Sequence, residues 1–357
     1  MFFTPLLGVG GVSNIRRRIR VKKMKMRDIA DLAGVSIATV SRVLNEPEKV
    51  KLETRQRVQK ILEQTNFVAN AVARGLVMNS MKTIGVLTVD IRDLYFAKVT
   101  YTVERCFKEL GYNVILSNTG GEPEEKKKYI QVMLEKQVDG LILVGSVFKE
   151  RTGNKHILAA GKSVPVVLVN SFLPGDNIYS ILCDDAQGIE KAVDYLVKMG
   201  HQKIYYFIDT KSYSGLDKLE GFRRGMRENG LDDTGIMEIP RSLEGGEEAI
   251  FRLHEEKKNF SAVITGEDVT AAGVMKALTK LGRRIPEDVA VIGYNNSILA
   301  AMTIPGLTSV DSMAEAMAVG AVQTLYNVLQ GMQVAQKTIL TPSLVFREST
   351  GTVTGRN

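Results

Sequence analysis

The sequence predicts an α/β protein in which an all-α helix-turn-helix headpiece precedes two doubly wound parallel-sheet lobes. Three observations carry this. Near the amino end lie three short apolar-periodic helices, the first two joined through a glycine. After residue 80 the pattern changes to near-continuous apolar strands alternating with helices, as expected of parallel strands covered on both faces. That alternation occurs twice, which implies two similar lobes with ligands expected at the carboxyl ends of the strands, between them. The chain has 357 residues, too many for one core, and its 44% hydrophobic content is ample for several.

Taken in order, residues 1–23 read as a disordered extension, because the apolar stretch precedes the basic cluster, the reverse of a secretory signal. Met24 or Met26 would make a natural start. Residues 24–69 form the headpiece. Asp28 to Ala33 gives a helix with Ile29, Ala30 and Ala33 on one face, stopped at Gly34, where a residue tolerating positive φ suits a tight turn. Ser36 can N-cap a second helix running to Asn45. Val40, Val43 and Leu44 should point inward, leaving Ile37, Ala38, Thr39, Ser41 and Arg42 outward. A third helix from Thr54 to Gln64 buries Val58, Ile61 and Leu62. Residues 70–80 form a short helix and linker, and residues 81–357 the two lobes.

In the first lobe the strands are KTIGVLTVD, YNVILSN, VDGLILVGS and VPVVLVNS, separated by helices over 95–110, 123–137 and 150–161. The alternation then repeats as SILCDD, KIYYFID, SAVITG and VAVIGYNN, with helices over 186–199, 215–229, 246–257 and 268–281. Residues 312–331 make a last long helix and TILTPSLVFRES one closing strand.

Charge is informative once located. The chain carries 47 Lys and Arg against 40 Asp and Glu, yet residues 1–80 hold 15 of the former and 6 of the latter, leaving 32 against 34 for the remainder. A basic small module on a near-neutral body fits binding to a polyanion. Without residues 1–23 the surplus in the module falls to three. Cys106 and Cys183 are the only cysteines and show no metal-ligand spacing, so a reducing, cytoplasmic setting is expected. No apolar run reaches the roughly 18 residues of a membrane span.

A recognition helix must enter a groove about 12 Å wide, so its exposed residues have to be small or extended. Ala38 and Thr39 meet the first need, and Arg42 the second. Thr can touch a thymine methyl or a base edge, and Arg can bond bidentately to guanine. The stretch MRDIADLAGVSIATVSRVLNEPEKVKLETRQRVQKILEQTNFVANAVARGL resembles the headpiece of the lactose/galactose repressor (LacI/GalR) family, and the downstream halves extend the likeness to about residue 350 as periplasmic-binding-protein-like lobes. The resemblance implies base contacts from Ile37, Ala38, Thr39 and Arg42, with Asn45 following the helix, and phosphate-holding or capping roles for Ser36 and Thr54. It also implies that residues 70–78 pair as hinge helices across a dimer axis, with Ala73 and Val72 on the pairing face and Leu76 wedging into the minor groove. Alone, about two turns is too short to stay helical in water. Lys51 stands where the family often has a capping Ser, and Ala69 replaces a usual Pro.

Strand-end residues expected at the cleft are Asp90, Tyr95, Phe96, Ser146, Asn170, Ser214, Lys218, Glu267, Asp268, Asn295 and Asn296, with Arg241 from a loop. By the resemblance, Tyr95 and Phe96 flank an effector ring. Lys218 falls where the family usually has an Arg, and Asn295 where it often has an Asp. Lys218 with Arg241 hints at an anionic sugar or sugar acid.

Catalytic readings fail: GVGGVS lacks the Lys-Ser/Thr and preceding strand of a phosphate loop, His156, His201 and His254 lack metal-ligand spacing, and no Gly-x-Ser-x-Gly elbow occurs. The expectation is a homodimeric transcriptional regulator, without cofactor or enzymatic activity, that binds a near-palindromic double-stranded operator and a sugar or sugar-acid effector. Rival readings are a solute-binding protein without a DNA role and a same-family regulator controlled by a protein co-regulator.

Overall fold

The computed structural model describes residues 24–65, 80–150 and 152–351. The expected extension over 1–23 and the hinge residues Ala73 and Leu76 lie outside them. The described residues fall into two compact units, one ending at Thr65 and one beginning at Ser80.

The first unit is three helices: α1 (Met26–Ala33), α2 (Ile37–Asn45) and α3 (Leu52–Gln64). They close over Ile29, Ala30, Ala33, Val40, Val43 and Val58, all buried, with Leu44, Ile61 and Leu62 half-buried around them. Gly34 ends α1 at φ 62°, ψ 39°, in the left-handed region that costs a glycine nothing, and its N–H reaches back to the carbonyls of Ala30 and Asp31. Lys51 occupies the N-cap of α3 without a side-chain bond, so Thr54 lies inside the first turn and does not cap that helix.

The second unit follows as β1 (Thr83–Thr88), α4 (Leu94–Glu109), β2 (Asn113–Asn118), α5 (Pro123–Glu135), β3 (Gly140–Val144), α6 (Lys155–Gly161), β4 (Val166–Val169) and β5 (Ile178–Cys183). It continues through α7 (Asp185–Lys198), β6 (Ile204–Ile208), α8 (Tyr213–Glu228), β7 (Ile236–Glu238), α9 (Leu243–Glu255), β8 (Ala262–Thr265), α10 (Asp268–Lys280), β9 (Ala290–Tyr294), α11 (Ile298–Met302) and β10 (Thr308–Asp311). Last come α12 (Ala314–Leu329), β11 (Lys337–Leu340) and β12 (Ser343–Val345).

Two six-stranded sheets result. The first runs β11-β5-β4-β3-β1-β2, entirely parallel; the second runs β12-β10-β9-β8-β6-β7, parallel except for β12 against β10. Each central strand is buried along its length, which is why the sequence shows unbroken apolar runs such as GLILV and VVLV. Helices α4 and α12 cover one face of the first sheet, and α5 and α6 the other. In the second sheet α9 and α10 cover one face, and α7 and α8 the other. Buried anchors such as Phe107, Phe148, Phe207 and Phe222 each contribute about 1.5–3 kcal/mol by leaving water.

The chain passes between lobes three times, at 183–185, 311–314 and 340–343. The third passage corrects the expected single closing strand. Pro342 cannot donate to a ladder, so the run breaks there and its halves join different sheets. Three short elements were not anticipated: β7, α11 and β10. The first is three residues long and the last reads TSVD, with too little apolar pattern to register. The expected helix over 150–161 is confined to α6, with a 3-10 turn at Ser146–Phe148 before it.

Adjacent helices in the second lobe meet through glycines. A Cβ on Gly273 of α10 would lie 1.9 Å from the Leu243 carbonyl oxygen, and one on Gly246 of α9 would lie 2.1 Å from that of Thr270. Both obstacles are backbone, so neither can swing aside. Gly273→Ala should therefore lower the unfolding free energy by about 1–3 kcal/mol through overpacking, read by urea denaturation; an unchanged midpoint would show that α9 and α10 can separate freely.

Candidate functional site

The first candidate surface is the exposed side of α2. Ser36 caps this helix, its Oγ accepting the Thr39 N–H at 3.1 Å and lying 2.9 Å from Thr39 Oγ1. The cap fixes the helix start, so Ile37, Ala38 and Arg42 stand exposed with Thr39 half-buried beside them, while Val40 and Val43 face the core. Arg42 makes no ion pair among the described residues. A helix presenting small side chains near its start and one uncommitted guanidinium can approach base edges closely. Asn45 ends the helix.

The second is the cleft between the lobes, a narrow space of about 30 Å³ at the carboxyl ends of both sheets. Nine of the twelve residues expected at the cleft line it: Tyr95, Phe96, Ser146, Asn170, Ser214, Lys218, Arg241, Glu267 and Asn295. Asp90 does not. The Arg92 guanidinium two residues on captures its carboxylate in a fork at 2.7–3.2 Å and holds its pKa down at about 2. Asp93 takes its place as the cleft carboxylate of the first lobe. It was missed although it carries a legible signal, an Asp opening a helix; its Oδ1 accepts the N–H groups of Tyr95 and Phe96. Asp268 and Asn296 also stand outside the lining of the cleft, binding Ser309 and Ser297, and Asp311, respectively.

At the centre, Arg241 Nη2 donates to Asp93 Oδ2 of the first lobe and Glu267 Oε1 of the second, each at 2.8 Å. Asn295 donates to the other oxygen of Glu267. The charge of Glu267 raises the pKa of Arg241 further, while burial raises that of Glu267 to about 7. Burial likewise lifts Asp209, against the pull of Lys218 and Arg241. Lys218, itself buried, donates to the Gly266 carbonyl at 2.9 Å and lies 3.7 Å over the Tyr294 ring. Both cations are thus already answered, which leaves neither poised for an acid group.

Deeper, Asp185 is the second residue that sequence reasoning missed. Its carboxylate accepts from Tyr294 at 2.5 Å, from Asn170 at 3.2 Å and from Ser214. The Tyr95 hydroxyl, by contrast, is buried in the cleft with no hydrogen-bond partner. Such an atom is costly unless a ligand or water meets it. Burial raises the Cys183 thiol, so it is no nucleophile. No group of His, Cys, Asp and Glu among the described residues could hold a metal, and no described helix is long and apolar enough to cross a membrane.

The model of bacterial regulatory proteins of the lacI family matches residues 25–70, and that of a periplasmic binding protein-like domain matches residues 193–350. An HTH-type transcriptional regulator of Lachnoclostridium phytofermentans is 38% identical over 331 residues, 92% of this chain and 99% of the relative. Catabolite control protein A of Priestia megaterium is 36% identical over 289 residues, 79% of this chain and 86% of its own. Among solved structures, the Lac repressor dimer bound to operator and the anti-inducer ONPF aligns at a TM-score of 0.84 and 26% identity, over 93% of this chain and all of that one.

The raised Glu267 gives a pH prediction. Between its ordinary value of 4.5 and about 7 the folded chain keeps a proton that the unfolded chain has lost. This group's contribution therefore falls as pH rises through that window. Glu267→Gln cannot ionise, so the stability of the wild type relative to this variant should decline from pH 4.5 to 7 in urea titrations; a relative gain would contradict the burial argument.

Proposed function

The chain belongs to the lacI family of bacterial regulatory proteins, and we propose that it works in the cytoplasm as a homodimeric repressor whose grip on a near-palindromic operator is set by a sugar held between its lobes. That it is a DNA-binding transcriptional regulator and not an enzyme follows from the family. The observation that carries the ligand reading is the cleft itself: eight polar and aromatic side chains chosen for their strand-end positions, and Arg241 from a loop, converge on one space, with the Tyr95 hydroxyl unmet inside it. Hydroxyl-rich ligands suit such a lining, because carboxylates and amides there both accept and donate.

In this reading Ile37, Ala38, Thr39 and Arg42 meet base edges, Ser36 meets phosphate, and Asn45, Ala73 and Leu76 contribute beyond the described side chains. The Lac repressor dimer on operator supports the arrangement. Support for self-association comes from a groove where Leu94, Tyr101 and Ile298 stand exposed beside Ala97 and Ala301. Control needs only that the effector bind two lobe arrangements with different affinity, roughly 1–3 kcal/mol of coupling. Operator affinity should fall steeply with salt as phosphate contacts release counterions.

Arg42→Ala should weaken operator binding by about 1–3 kcal/mol and relax preference at one base pair, measured by fluorescence anisotropy on operator and random duplexes. Equal loss on both would make Arg42 a phosphate contact only. Lys218→Ala should blunt the effector response while operator affinity without effector persists; an undiminished response removes Lys218 from the ligand site.

A further inference from the structure

Outside the effector cleft lies a larger hollow, about 590 Å³, that opens on the same interlobe gap. Val147, Thr210 and Ser212 line both spaces, so the two are compartments of one passage. A hydrogen bond from Ser146 Oγ to Ser212 Oγ at 3.0 Å, one lobe to the other, crosses at this point. Their charges are opposite in kind. The inner cleft and its floor hold four carboxylates, Asp93, Asp185, Asp209 and Glu267, against Lys218 and Arg241. The outer hollow is lined by Lys126, Lys149 and Lys211, with Glu150 as its one carboxylate.

Of these lysines, Lys126 is buried and tied to Glu150 and the Val147 carbonyl. Lys211 shares only a solvent-exposed pair with Glu238, of small strength. Lys149 makes no ion pair among the described residues and rests 4.3 Å from the centre of the Tyr213 ring. The first turn of the sixteen-residue α8 begins at Tyr213 on the same wall, adding the positive end of a helix.

We propose that this hollow is an anion-accepting vestibule, and that the effector is a phosphorylated sugar whose hydroxylated ring enters the inner cleft while its phosphate stays outside, between Lys149, Lys211 and the start of α8. This rests on the ligand reading of the cleft. It moves the acid group away from Lys218 and Arg241, where carboxylates would repel it, to the one compartment where cations predominate.

The test compares the full chain with a Lys149→Gln/Lys211→Gln variant, both exchanges at accessible positions, by calorimetric titration at low salt. The probes are free hexoses, the same hexoses as phosphomonoesters, and inorganic phosphate. Expected is tighter binding of at least one phosphomonoester than of its parent sugar, weakened on the order of tenfold in the variant, with parent-sugar binding unchanged. An equal response of both proteins to every probe, including no response from either, overturns the vestibule. Phosphate-dependent binding that Tyr95→Phe and Glu267→Gln leave untouched, with no response to any free sugar, would keep the vestibule and sink the cleft reading instead.

Discussion

Arg241 makes the charged contact that joins the two lobes of the second unit. One guanidinium nitrogen joins a carboxylate of each lobe, Asp93 and Glu267, across the space where a ligand would lie. Removing water from three charges is costly, and the pairing offsets that cost only because Asn295 and the α4 amides satisfy the remaining oxygens. The bridge is therefore satisfied without a ligand, by the chain's own charges, while the Tyr95 hydroxyl beside it is left unmet. Any effector must offer hydroxyls that substitute for this bridge or fit beside it. Its affinity is then a difference between two sets of hydrogen bonds, as a responsive switch requires.

Much of this was legible in the sequence, for identifiable reasons. The helix-turn-helix was readable because Gly34, Ser36 and the buried Val40 and Val43 each obey a local rule, and the local rules agree. The lobes were readable because strands covered on both faces lose their polar alternation. Strand ends then located the cleft residues, since a doubly wound sheet brings those ends together whatever the loops do. What stayed hidden depended on partners distant in the chain. Asp90 and Asp93 look alike in DIRDL, and only the capture of Asp90 by Arg92 leaves Asp93 to face Arg241, 148 residues away. Asp185 resembles an ordinary helix-start acid until Tyr294 and Ser214 are seen to converge on it.

The glycines express the same dependence. Gly221 and Gly225 let α8 lie against α7, as Gly246 and Gly273 do for α9 and α10, with backbone oxygens or side chains of the neighbouring helix where a Cβ would go at each position. In sequence they look like weak points of helices, each costing about 1 kcal/mol relative to Ala. In the folded lobe they are what allows paired helices to cover one sheet face at close range. The second lobe thus behaves as a stiff body, and compliance is left to the interlobe segments.

Those segments come in three, and they are not alike. Between β11 in one sheet and β12 in the other stand only Thr341 and Pro342, a two-residue link with the φ of Pro342 locked by the pyrrolidine ring. Two bodies joined at three neighbouring points cannot slide freely past one another, which confines their relative motion to rotation about that shared edge. The direction in which the lobes move is thereby written into chain connectivity. Ligands can choose only how far along that arc the protein rests.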